Sequence, residues 1–264
     1  MLAYLTAIAL AAPLLGAPEV EADPFGAYTG TMVIYDQQEE NYIILNEQRA
    51  AERFTPFSTH KIPHSLIALE TGAVKDLDQI LSWDSSRYPQ EAWWPTTWEG
   101  EHTLGSAIDV SLVPAYRQLA HDMGPDTMRK YLKQFSYGNT DISSGIDNYW
   151  LNGSLKISAM EQVNFLRKFY NSQLGVTDRS TQLTKEILVR EKTDSSVFSY
   201  KTGTGTVDPE TGNALAWLTG YVEQADRVYF FAMNIQGRTF AEIIQPRMLI
   251  ARQILESFHI LGGQ

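Results

Sequence analysis

The sequence predicts an α+β fold: an antiparallel sheet with flanking helices and an inserted all-helical subdomain. Segments with strand-like alternation lie near both ends of the chain, at 30–36 and 41–46 and again at 195–203, 214–223 and 227–235. The stretch between them carries apolar residues at helical spacing, and one more helical segment, 247–259, follows the last strand. Strands, then helices, then strands describe one sheet drawn from both ends of the chain, with a cleft where the helical insertion joins it.

Each element has a local reason. GTMVIYD (30–36) and NYIILN (41–46) flank a polar QQEE turn and read as a β-hairpin. Residues 58–70 open at a serine and carry Ile62, Leu66 and Leu69 on one face. Residues 112–122 and 126–135 are expected to be two helices, parted by Gly124-Pro125. Ser158-Ala-Met-Glu161 is a capping box that opens a helix with Val163, Leu166 and Phe169 inward. Residues 182–191 fit a further helix. SSVFSYKTG (195–203), ALAWLTGYVE (214–223) and RVYFFAMNI (227–235) alternate with period two. The turns between them contain Asp208-Pro209, Gly212-Asn213 and Ala225-Asp226, so antiparallel hairpins are expected. Tyr229, Phe230 and Phe231 read as sheet core. The last helix places Ala251, Ile254, Leu255 and Phe258 at helical spacing.

The 264 residues are 44% hydrophobic and 20% charged, an ordinary globular composition that argues against disorder. Acidic residues outnumber basic ones 31 to 21, and the net charge of −10 disfavours a nucleic-acid partner. The absence of cysteine excludes disulfides, thiolate metal sites and a cysteine nucleophile. Residues 2–17 form an apolar run shorter than the ~20 residues of a membrane span. Its length suits a signal-peptide core, with Ala17 or Ala22 at a cleavage site, although no Lys or Arg precedes it. Residues 1–22 are therefore read as a signal peptide and 23–264 as a single domain, with its sheet part at 23–57 plus 172–264 and its helical part at 58–171. A periplasmic or secreted protein is expected, off the membrane in its mature form, as a monomer or a homodimer.

Ser58-Thr59-His60-Lys61 carries the most chemistry. In a helix, residues three apart share a face, so Ser58 Oγ and Lys61 Nζ should lie side by side. A serine becomes a good nucleophile once a base takes its proton. Lys61 can be that base only if burial lowers its pKa or if it is chemically modified. The bland alternative is a helix N-cap serine followed by an exposed lysine. Downstream, Lys201-Thr202-Gly203 lies in an expected strand, where glycine lets a ligand approach the backbone. Lys201 and Thr202 suit a substrate carboxylate; the alternative is an ordinary strand-to-turn boundary. Ser-x-x-Lys on a helix, with Lys-Thr-Gly on a later strand, is a known pair of acyl-transfer motifs.

With Ser111-Leu112-Val113, FSYGN at 135–139, GID at 145–147, Trp150, the Trp217–Glu223 strand and Arg247, the chain resembles the class D, oxacillinase-type, serine β-lactamases. The match runs collinearly from about residue 24 to residue 263. The resemblance implies the serine β-lactamase and penicillin-binding transpeptidase fold. It implies that Ser58 attacks a β-lactam carbonyl, and that Lys61 is N-carboxylated by CO2 or bicarbonate and serves as general base in acylation and deacylation. Trp150 would orient that carboxylate, with Val113 and Leu151 walling the pocket. Ser111 would pass a proton to the leaving nitrogen. Lys201, Thr202, Gly203 and Arg247 would hold the substrate, and the backbone N–H groups of Ser58 and Thr204 would form the oxyanion hole.

Two positions depart from the family pattern. His60 stands where relatives usually have Phe or Tyr; it would either loosen the apolar pocket or pack as a neutral imidazole. Thr204 replaces an aromatic seen in some relatives, a change that bears on substrate range. The segment 88–101, rich in Trp and Pro, reads as a cleft-edge loop, although Trp93, Trp94 and Trp98 could instead cover core. No G-x-S-x-G elbow points to an α/β-hydrolase. Only His60 and His64 share helical i, i+4 spacing and no H-E-x-x-H accompanies them, so no metal site is expected. Two other functions share the main motifs: a penicillin sensor that stays acylated, and a cell-wall transpeptidase or carboxypeptidase. The latter usually carries Ser-x-Asn where this chain has Ser111-Leu112-Val113.

Overall fold

Among the described residues, six strands pair antiparallel throughout, in the sheet order Asn41–Leu45, Thr29–Asp36, Arg227–Gly237, Ala214–Gln224, Ser196–Thr206 and Val189–Lys192. The computed structural model describes residues 23–151 and 153–262, so the signal-peptide reading of residues 1–22 lies outside the described residues. In chain order the elements are β1 (Thr29–Asp36), β2 (Asn41–Leu45), α1 (Glu47–Ala51), a 3₁₀ turn (Phe57–His60) and α2 (Lys61–Thr71). A second 3₁₀ turn (Thr96–Trp98), α3 (Leu104–Asp109), α4 (Val113–Phe135), α5 (Ala159–Tyr170) and α6 (Asp178–Leu188) follow. The chain then returns to the sheet as β3 (Val189–Lys192), β4 (Ser196–Thr206), β5 (Ala214–Gln224) and β6 (Arg227–Gly237), and α7 (Phe240–Ser257) comes last.

The sheet is buried on both faces, and its period-two side chains serve two cores. Val33, Tyr35, Trp217, Tyr221 and Phe230 point into a large core shared with α2 to α6. Met32, Ile34, Leu218, Phe231 and Met233 point into a second core closed by Ile243, Ile250, Ile254 and Leu255 of α7. The predicted aromatic run therefore is sheet core, divided between the two faces: Phe230 on one, Tyr229 and Phe231 on the other.

Several boundaries differ from the sequence expectation, each for a physical reason. The expected helix at 182–191 begins earlier, where the Thr177 hydroxyl accepts from Ser180 N, and ends at Leu188. Val189 turns extended, and Val189–Lys192 becomes a short edge strand with a register shift against β4. The last helix begins at Phe240, capped by the Thr239 side chain, and runs through Pro246. Proline in a helix interior costs a backbone hydrogen bond, yet Ile243, fully buried in the second core, holds this first turn in place. Arg247 consequently sits inside the helix and does not open it. The two expected helices at 112–122 and 126–135 follow one another directly in α4, with the break at Gly124, whose φ of 78° and ψ of 161° are not helical. Helix α3, capped reciprocally by Thr103 and Ser106, was not anticipated.

Candidate active site

The turn at Phe57–His60 presents Ser58 at the entrance to α2. Phe57 adopts a left-handed φ of 49°, a costly conformation for a side chain with a Cβ. Beyond the turn, Lys61 reaches back one helical turn and donates from Nζ to Ser58 Oγ at 2.9 Å. Lys61 is fully buried, which rules out the exposed-lysine alternative. Burial first, and the Arg117 charge second, pull its ammonium down to about 7. Near neutral pH a large share of Lys61 is thus an uncharged amine beside a serine hydroxyl, the state in which it can accept a proton.

Strand β4 brings the second cluster. Its short neighbour β3 pairs only with Val197–Ser199, so among the described residues Lys201–Thr206 has no strand beside it on that edge. Lys201-Thr-Gly is therefore mid-strand, not a strand end. Alternation sends Lys201, Gly203 and Gly205 toward the Ser58 turn and Thr202 and Thr204 the other way. The strand lies hard against that turn. A Cβ on Gly203 would sit 2.7 Å from Pro56 O and 3.1 Å from Ser58 N, and one on Gly205 would enter the Phe57 ring. Lys201 Nζ donates to Ser111 Oγ at 2.5 Å and to Thr202 O at 3.1 Å. Ser111 has φ 58° between α3 and α4, and this left-handed corner is followed by the Leu112 N–H bond to Ala107 O at 2.9 Å. Burial, and then the Lys61 charge, drive Lys201 well below the usual lysine range. On the opposite side of the strand, Arg247 Nη1 donates to Thr204 Oγ1 at 2.6 Å.

Behind Lys61 lies an aromatic pocket. Trp150 is fully buried and its Nε1 has no hydrogen-bond partner. His60 is also fully buried, and its Nε2 shares a 2.8 Å hydrogen bond with the Tyr149 hydroxyl. Burial holds its pKa well below the ordinary histidine value, with His64 and then Lys61 adding to the effect. The histidine therefore packs as a neutral imidazole, the second of the two outcomes the sequence allowed, and does not open the pocket.

In front of Ser58 a cleft of about 840 Å³ is lined by Ser111, Val113, Leu151, Thr202, Gly203, Thr204 and Arg247. The structure thus gathers the sequence-predicted residues around one space, with Lys61, Trp150 and Lys201 just beneath its surface. Both readings of the Trp-rich segment hold in part. Trp93 is 61% exposed at the cleft wall, while Trp98 is buried and donates from Nε1 to Val110 O at 2.9 Å. Sequence reasoning missed Arg117, which lines the cleft and acts on Lys61. Its signal was its place four residues after Val113, on the same helix face. Phe240 and Ile244, also on the cleft wall, were missed because the first turn of α7 was not foreseen.

Comparisons with known proteins agree with this geometry. A sequence model of the penicillin-binding protein transpeptidase domain matches residues 30–256. The chain is 36% identical to β-lactamase OXA-48 of Klebsiella pneumoniae, over 97% of this chain and 98% of that protein. It is 37% identical to the regulatory protein BlaR1 of Bacillus licheniformis, over 81% of this chain but only 34% of BlaR1. Among solved structures, FUS-1 (OXA-85), a class D β-lactamase from Fusobacterium nucleatum subsp. polymorphum, superposes with a TM-score of 0.82 at 34% identity, covering 89% of this chain and 94% of that one. A hydrogen-bonded Ser58–Lys61 pair, Lys201 on the facing strand donating to Ser111 at the α3–α4 corner, and relatives at this identity lead to one conclusion: the chain belongs to the penicillin-binding transpeptidase-fold proteins and, within them, to the class D serine β-lactamases.

Proposed function

We propose that this chain hydrolyses β-lactam antibiotics through an acyl-enzyme on Ser58. The observation that carries the reading is Lys61: fully buried, drawn to about 7, and 2.9 Å from Ser58 Oγ. In acylation, Lys61 takes the Ser58 proton as Oγ attacks the lactam carbonyl. The developing oxyanion accepts hydrogen bonds from the backbone N–H groups of Ser58 and Thr204. Ser111, hydrogen-bonded to Lys201, delivers a proton to the lactam nitrogen as the C–N bond breaks. Lys201, Thr202 and Arg247 hold the substrate carboxylate, and Gly203 lets the substrate lie flat along β4. Water then attacks the ester carbonyl and releases the open acid from Ser58.

N-carboxylation of Lys61 belongs to the same proposal. Carbon dioxide reacts with an uncharged amine, which Lys61 supplies. The pocket also offers Trp150 Nε1, a buried donor without a partner, with Val113 and Leu151 nearby on the cleft wall. When present, the carboxylate supplies a general base for both half-reactions. The decisive experiment is steady-state hydrolysis of a chromogenic cephalosporin by the purified chain, with and without added bicarbonate. Turnover that rises with bicarbonate supports both enzyme and carboxylated Lys61. Turnover indifferent to bicarbonate, in buffer stripped of CO2, removes the carboxylate from the mechanism.

The similarity to BlaR1 favours a second reading, acylation without release, in which the protein senses or binds β-lactams. A single stoichiometric burst with no turnover in either buffer would establish that reading, or a transpeptidase, over hydrolysis. Export is proposed as well, supported by the apolar run at 2–17; sequencing the mature N-terminus tests cleavage near Ala17 or Ala22.

A further inference from the structure

Besides Trp150, the buried polar atoms around Lys61 that lack partners are concentrated on two histidines. His64 is fully buried, and neither Nδ1 nor Nε2 has a hydrogen-bond partner. A neutral imidazole always carries one N–H donor and one acceptor nitrogen, and an unpaired buried donor is costly. His64 lies one turn beyond Lys61 on α2, and both pack against the Tyr116 ring. Lys61 Nζ is 5.1 Å from the centre of the Tyr116 ring, and the His64 ring packs edge-on to Tyr116 at 5.1 Å. Trp150 closes the other side, edge-on to His64 at 5.3 Å. The neighbouring hydroxyls are already committed. Tyr116 pairs with Ser65 Oγ at 2.7 Å, and Tyr149 pairs with His60 Nε2 at 2.8 Å. Among the described residues, the nitrogens of His64 and Nε1 of Trp150 beside Lys61 thus have no hydrogen-bond partner.

We infer that His64 donates a hydrogen bond to the carboxylate carried by Lys61, alongside Trp150 Nε1, and so sets how tightly this chain holds CO2. The inference rests on the carboxylated-lysine reading above. The Lys61 nitrogen lone pair forms a bond to the carbon of CO2, one C=O π bond opens onto oxygen, and one proton leaves the nitrogen for solvent. The new anion then accepts hydrogen bonds from His64 and Trp150. His64 is a positioning residue in this scheme: it touches the base, not the lactam.

The test is a titration of the full-length chain with ¹³C-labelled bicarbonate, reading the carbamate carbon signal by NMR, for the wild type, His64→Leu and His64→Asn. The expected result is a saturable carbamate in the wild type and CO2 affinity roughly 10- to 100-fold weaker in His64→Leu, the loss of one charge-assisted hydrogen bond. His64→Asn, which keeps an N–H donor, should recover much of the affinity. If His64→Leu does not fold, His64→Phe keeps the ring packing, removes both nitrogens and carries the same expectation. Unchanged affinity in the variant lacking the nitrogens would overturn the role of His64 while leaving the carboxylated lysine intact. No carbamate signal in the wild type would overturn the carboxylated-lysine reading itself, and this inference with it.

Discussion

Lys61 is held where its charge is disfavoured, which bears on stability and, in the proposed mechanism, on acylation. In the folded chain its pKa is about 7, against an ordinary value of 10.5. The unfolded chain therefore binds more protons between those pH values, and stability rises with pH across that window. Below pH 7 both states are protonated and the folded state bears the full penalty. Replacing the amine by an uncharged chain of similar length removes a penalty on the order of a few kcal/mol. Lys61→Met is thus expected to abolish turnover, yet to melt several degrees higher than the wild type at pH 6 to 7. A thermal melt at that pH checks it, and a lower Tm would mean the charge is tolerated. In the proposed mechanism the same proton governs acylation. In bicarbonate-free buffer the acylation rate should climb about tenfold per pH unit up to roughly pH 7 and then level, as the neutral amine becomes the dominant form. A stopped-flow pH series reads it, and an acid limb near pH 4 would place the base elsewhere.

The contact between β4 and the 3₁₀ turn decides whether Ser58 and the strand meet. Two glycines make that approach possible, because any Cβ on Gly203 would press on the Pro56 and Ser58 backbone. Gly203→Ala should therefore separate strand and turn and lower kcat/KM by about a hundredfold or more, the scale seen when an oxyanion donor is lost. Steady-state kinetics, with circular dichroism to verify folding, tests this; near-normal kcat/KM would show that the strand can yield without cost. Strand β5 supports the same turn from behind. Trp217 Nε1 donates to Thr55 O at 3.0 Å, anchoring the segment that leads into Ser58. Trp217→Phe keeps most of the ring but leaves that carbonyl unpaired, and a stability loss of about 1–3 kcal/mol by denaturant titration is expected.

At the scale of the molecule, the cleft lies where the helical layer meets the sheet, and α7 reaches it from the opposite face through Arg247, Phe240 and Ile244. The two cores carry stability, whereas the exposed rim lines the cleft proposed to take substrate. Trp93, 61% exposed, should contribute little to folding. Trp93→Ala is expected to shift Tm by no more than about 2 °C, while raising KM several-fold for β-lactams with bulky apolar side chains and sparing small ones. By contrast Phe230, fully buried in the larger core, should cost about 3–5 kcal/mol when cut to alanine. Comparing KM across a substrate panel with the two melting curves separates rim from core; equal Tm losses would show that the Trp93 loop is structural.

The sheet strands were legible in the sequence because period-two alternation is a property of a few neighbouring residues. The capping box at Ser158–Glu161 was legible for the same reason, since its partners are three residues apart. Ser58, Lys61 and Lys201 could be picked out by their motifs, Ser111 through the family resemblance, and the i, i+3 geometry of the first pair follows from helix pitch alone. The edge strand Val189–Lys192 could not be seen, because nothing in VREK favours a strand until β4 lies beside it. The start of α7 and the placement of Arg247 were hidden because burial of Ile243 against a distant sheet outweighs Pro246. What the sequence by itself determined was which residues meet at the candidate site and the alternation that builds the sheet. What only the tertiary structure decided was their protonation and unpaired donors. Desolvation of Lys61, neutral His60 and the stranded nitrogens of His64 arise from side chains far apart in the chain that exclude water together.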